Sequence, residues 1–199
     1  MKKLIAIIAT VIIPFAVFSQ HLTNDTISNL ELMLNQKGTM LKKEYGGIIR
    51  SKSATIKSPG SCNYETIIVT DLKSGATTGG LRIKAFYVYT FANSTKTEEY
   101  IAYLDPDEIT SCVQFLKKMS DEYMNSTPEQ YTELVYKTSD GFSIGGFYDP
   151  KDKNPIWKVF IKTKNYTDRS FVSIDKDDIP VIIEDFENAC KSIKSKTGK

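Results

Sequence analysis

The chain has 199 residues, with 26 Lys and Arg against 24 Asp and Glu and a single His. If Lys2 and Lys3 leave with an amino-terminal leader, 24 basic residues face 24 acidic ones, and a neutral chain has no overall field to draw in DNA or an anionic membrane. His21 and three cysteines without CxxC spacing exclude zinc sites built from Cys and His, and no cofactor is implied.

The opening "MKKLIAIIATVIIPFAVFS" has a charged start, an apolar run from Leu4 to Phe18 and small or branched residues before Gln20. That is the pattern of a signal peptide over residues 1–19, cut after Ser19. The run is shorter than the roughly 20 residues a membrane span needs, and no second such run follows, so a soluble secreted or periplasmic bacterial protein is expected. Past the leader, "SNLELMLNQKG" predicts a short helix. Ser28 accepts from the backbone at Glu31, Gly38 supplies a left-handed stop, and Leu30, Met33 and Leu34 form the apolar face. "TMLKKEYGGIIRSKSATIKS" reads as strand broken by a bulge or turn at Gly46-Gly47, and "SPGSCN" as a loop.

From Tyr64 two comparable halves follow. The first holds a strand "ETIIVTD", a turn at Lys73-Ser74-Gly75, a long strand "TTGGLRIKAFYVYTF", a strand "EEYIAYLD" and a helix from about Pro106 to Tyr123. In the long strand Leu81, Ile83, Ala85, Tyr87, Tyr89 and Phe91 point one way. The second holds "TELVYKT", a turn at Ser139-Asp140-Gly141, "FSIGGFYD", "NPIWKVFIKTK" and "SFVSID", then a helix to about Ser195. Trp157, Val159 and Ile161 alternate there with Lys158, Phe160 and Lys162. Gly145-Gly146 aligns with Gly79-Gly80, and "DKDD" with "DPDE". The expected fold is α+β: internally duplicated antiparallel sheet units, each closed by a C-terminal helix, plus a short N-terminal helix. Its segments are 20–63, a first repeat at 64–128 and a second at 129–199, the two repeats packed as one globular domain.

The shared acids sit where a strand ends and a helix begins. Unpaired backbone N–H groups and the macrodipole favour carboxylates at such a junction. Asp105 as N-cap puts Pro106 at the first helical position and Glu108 at the reciprocal position of a capping box. In the second copy Asp175 aligns with Asp105, while Pro180 favours Asp177 as the cap. The rival is calcium, which needs six or more oxygens and usually a glycine between ligands; neither cluster supplies these, so no metal is assigned. Behind the acids, Ile109, Cys112, Val113, Leu116 and Met119 are matched by Ile179, Ile182, Ile183, Phe186 and Ala189, one buried stripe per helix.

"SGATTGG" lacks the Lys-Ser/Thr of a phosphate loop and reads as a hairpin turn. The N-x-S/T triplets at Asn24, Asn93, Asn125 and Asn165 mark surface, and "DTI" at Asp25 resembles a triplet used by some bacterial O-glycosylation systems. Cys62 with Cys190 is the one pair considered for a disulfide; Cys112 belongs to a buried helix face. Tyr87, Tyr89, Tyr103 and Trp157 are candidates to line a ligand groove, with core and cross-strand packing as the alternative role for such aromatics.

The "LELMLNQKGTMLKKE" opening and the "YLDPDE" junction resemble an uncharacterised family of small secreted bacterial proteins. That resemblance implies a fold and no activity. The order of two sheet-then-helix units is similar to the duplicated units of the Whirly and PurA families, which bind single-stranded nucleic acid. A neutral chain lacks the basic groove such binding uses, so nucleic acid is not an expected partner. No catalytic residues are assigned. The expected function is a non-catalytic binding module for an envelope peptide, glycan or protein. The alternatives are a carboxylate-based hydrolase and a secreted inhibitor of another enzyme.

Overall fold

A computed structural model describes residues 28–50, 60–92 and 94–198. The leader, His21, Asn24, Asp25 and Asn93 lie outside the described residues. The described chain begins with helix α1 (Asn29–Asn35), whose N-cap Ser28 accepts from the Glu31 N–H at 3.1 Å. Gly38, at φ +74°, turns the chain after it. Strands β1 (Leu41–Arg50), β2 (Gly60–Asp71), β3 (Thr77–Phe91) and β4 (Ser94–Leu104) form one antiparallel meander, followed by α2 (Pro106–Lys118). A π-helical turn, Met119–Tyr123, extends α2. Strands β5 (Thr132–Lys137), β6 (Ser143–Tyr148), β7 (Lys158–Lys162) and β8 (Phe171–Ile174) form a second meander, followed by α3 (Ile179–Thr197). The fold is therefore α+β with two four-stranded antiparallel sheets, each followed by a helix.

Several boundaries depart from expectation. Gly60 to Asn63 belong to β2 rather than to a loop, because Cys62 and Tyr64 face the core and pair with Ala85 and Ile83 of the long β3. The first sheet also takes in β1 from the segment before Tyr64; the ladder skips at Gly46-Gly47, between Tyr45 and Ile48, as a bulge does. The two glycine pairs occupy non-equivalent strands. Gly79-Gly80 lies in the third strand of its sheet and Gly145-Gly146 in the second of the other. Each serves close approach: a Cβ at Gly79 would meet Ile193 of α3 at 3.0 Å, one at Gly80 would meet Leu30 of α1 at 2.8 Å, and one at Gly145 would meet the Leu134 carbonyl at 2.1 Å.

The inner faces of both sheets and the apolar stripes of α2 and α3 make one core. Ile109, Cys112, Val113, Leu116 and Met119 are all buried, as are Ile179, Ile182, Phe186 and Ala189. The helices do not simply cover their own sheets. Phe186 of α3 meets Tyr64 of the first sheet edge-on, with ring centroids 5.4 Å apart. From α2, Phe115 lies 6.0 Å from Tyr136 of the second sheet, whose hydroxyl donates to the Glu108 carbonyl at 3.0 Å. A smaller cluster, Leu30, Ile67 and Val69 with Met33, Leu34 and Tyr103, seats α1 on the outer face of the first sheet. No helix among the described residues is long and apolar enough to cross a membrane.

Candidate functional site

The acidic junctions behave differently in the two copies. Asp105 is the N-cap of α2 in extended backbone, and its N–H donates to Glu108 Oε2 at 2.9 Å to form the capping box. Its own carboxylate also accepts from the first amides of α1, Asn29 N–H at 2.8 Å and Leu30 N–H at 3.4 Å. One side chain thus ties together the starts of two helices. Asp175 and Asp177 are exposed and do not cap α3 with their side chains. There a 3₁₀ turn, Lys176–Asp178, precedes the helix, and the Asp178 N–H donates to the Asp175 backbone carbonyl at 3.1 Å. Pro180, in the first helical turn, has no N–H to satisfy, so the second junction relies on backbone bonds.

Burial pushes the Glu108 carboxyl up to about 7; the Asp105 N–H opposes that rise, and the charges of Asp140, Asp105 and Glu31 add to it. Burial and Asp140 likewise raise Glu31, against the pull of Lys164. Among the described residues no group of three or more His, Cys, Asp or Glu is placed to hold a metal ion.

The four aromatics expected to line a groove are not brought together. Trp157 is buried, its indole N–H donating to the Ser126 carbonyl at 3.0 Å and its ring 5.7 Å from Tyr148. Tyr103 packs beneath α1. Tyr87 and Tyr89 lie 5.9 Å apart under the Arg169 guanidinium, at 5.6 and 5.3 Å. Arg169 also holds both Glu98 oxygens, at 2.8 and 2.9 Å, and so clamps the second sheet's last turn onto the first sheet. Cys62, Cys112 and Cys190 are all free and buried, so Cys62 and Cys190 form no disulfide. Asn125 and Asn165 are on the surface.

The outer faces of the two sheets carry different things. On the first, Glu65, only 5 % exposed, binds Arg82 at 2.6 Å and Lys84 at 3.1 Å, Arg82 stacks on Tyr45, and α1 covers the far end. On the second, strict alternation places Phe147, Phe160 and Phe171 outward from β6, β7 and β8, while Ile144, Val159, Ile161 and Val172 face the core. Tyr131, just before β5, completes the row. Successive ring centroids are 6.3, 6.3 and 5.2 Å apart, the last pair stacked at 20°. Gly145 stands opposite Phe160. A cavity of about 440 Å³ on this face has Glu133, Lys137, Asn165 and Asp168 among its polar lining.

No family model, curated protein or solved structure matches the chain.

Tyr131, Phe147, Phe160 and Phe171 were not among the residues expected to bind. The signal for Phe160 was present, since it alternates with Lys158 and Lys162 on the face opposite Val159 and Ile161. What the sequence alone withheld was the register that aligns one aromatic from each of β6, β7 and β8 into a row across the sheet. Two of the three neighbouring lysines are already paired: Lys158 with Asp152 at 2.5 Å, and Lys162 with Asp168 at 2.8 Å. The face can stack against an apolar or planar surface and exchange hydrogen bonds at its rim.

Proposed function

We propose that this protein is a non-catalytic binding module that takes its ligand on the outer face of the second sheet. The observation that carries the reading is the row Tyr131–Phe147–Phe160–Phe171 above a cavity of about 440 Å³. Its volume falls within the range of ligand pockets, and its lining joins the aromatic row to polar groups that make up half of the residues around it. Tyr131 remains 58 % exposed, although burying such a ring is favourable. The leader pattern at residues 1–19 supports an exported setting, secreted or periplasmic, where envelope peptides, glycans and proteins are at hand.

The rival reading, a carboxylate-based hydrolase, would draw on Glu108, whose carboxyl is raised to about 7. That carboxylate is engaged by the Asp105 N–H as part of a helix cap, which accounts for its position without catalysis.

The test is an NMR screen of the isotope-labelled full chain against envelope-derived peptides, glycans and lipids. The expected result is a hit whose shift changes concentrate on outward residues of β5 to β8. A hit that maps to the first sheet, or uniform failure to bind, overturns the reading.

A further inference from the structure

Resting on that reading, we infer that the ligand is a neutral glycan whose pyranose rings stack on the aromatic row of the second sheet. Three observations carry this. The row runs from Tyr131, just before β5, across β6, β7 and β8, so it offers successive ring contacts to an extended chain rather than one closed hole. The C–H-rich face of a pyranose is apolar and electron-poor, which suits the negative face of an aromatic ring, and its equatorial hydroxyls point sideways to a polar rim. That rim carries acceptors and donors in the right mixture: Glu133, Asn165 and Asp168 accept, and Lys137 and Asn165 donate.

Charge decides between ligand classes. Asp152 and Asp168 already neutralise Lys158 and Lys162, and Glu133 offsets Lys137 within the cavity. A phosphodiester strand would need unpaired cations along its path, and its bases would use the same rings. The face is balanced, which fits a ligand with hydroxyls and no net charge. Phe160 is only 6 % exposed and serves as floor; Tyr131 presents an open ring, while Phe147 and Phe171 are half-buried, Phe147 with the Lys158 ammonium 5.6 Å from its centroid and Phe171 stacked on Phe160.

Isothermal titration calorimetry of the full chain with soluble cello-, chito- and malto-oligosaccharides tests this, with an oligothymidylate and an uncharged peptide as comparison ligands. At least one oligosaccharide is expected to bind, and Phe147→Ala to weaken it about tenfold. Tyr131→Ala, at an exposed position, is the second variant and is expected to weaken it several-fold without touching the core. Circular dichroism establishes that each variant is folded. Oligosaccharide binding unaffected by either folded variant overturns the placement. Tyr131-dependent binding of the oligothymidylate or peptide, with no sugar bound, overturns the glycan and leaves the binding module standing. Silence from every ligand counts against both.

Discussion

Removing the Asp105 carboxylate should damage two helices at once, whereas removing its counterpart Asp175 should damage none. Loss of an N-cap costs about 1 kcal/mol. The bond from Asn29 at 2.8 Å has a charged acceptor, a kind that contributes about 1.5–3 kcal/mol when well shielded. The site is open to solvent at that bond and the Leu30 bond is long at 3.4 Å, so the α1 share is set at about 1 kcal/mol. Asp105→Ala is therefore expected to lose about 2 kcal/mol, or about 4–8 °C in melting temperature for a chain of this size. Asp175→Ala, at an exposed side chain with no capping bond, should stay within about 0.5 kcal/mol. Urea unfolding followed by circular dichroism measures both. Amide exchange adds a local readout, because the Asn29 and Leu30 N–H groups should exchange faster in Asp105→Ala alone. Equal losses in the two variants, or unchanged exchange at Asn29, would show that the two junctions are held in the same way.

Two further outcomes concern titration and thiols. Glu108 has a folded-state pKa of about 7 against 4.5 for the free side chain, so folding favours its neutral form. The stability it lends is complete below pH 4.5 and is lost as pH rises to 7; with solvent screening the loss is about 1–2 kcal/mol, and Glu108→Gln should flatten that slope in urea midpoints measured across the window. Parallel slopes for the two proteins would contradict the assignment. Burial pushes the Cys62 thiol up to about 12 and raises Cys112 as well, so an aromatic disulfide reagent should label the native chain slowly and all three thiols once urea is added. Rapid native labelling, or a melting temperature that falls with dithiothreitol, would be incompatible with three buried free thiols.

Much of the architecture was legible because it rests on local periodicity. The two-residue alternation of Leu81, Ile83 and Ala85 marks the buried face of β3, and the spacing of Ile109, Cys112, Val113 and Leu116 marks the buried stripe of α2. The Ser28 and Asp105 caps follow from short motifs whose partners lie within three residues. Features set by non-local pairing were harder to read. "GSCN" joins β2 only because β3 is long enough to pair with it, and Gly145-Gly146 resembles Gly79-Gly80 in sequence while serving a different strand. The aromatic row depends on the registers of β6 with β7 and β7 with β8, which no single segment encodes. Tyr87 and Tyr89 look like an open face until Arg169, some eighty residues on, is placed over them.

The crossing of the closing helices has a consequence for what counts as a unit. Phe186, encoded with the second meander, fills the space under Tyr64 of the first, and Phe115, encoded with the first, reaches Tyr136 of the second. Severing the chain between Tyr123 and Thr132 would take α3 away from β2 and β3 of the first sheet and leave Tyr136 of the second without Phe115. Such fragments regain an interior only by clasping each other, so the duplicated halves are two hands of one grip rather than two beads on a string.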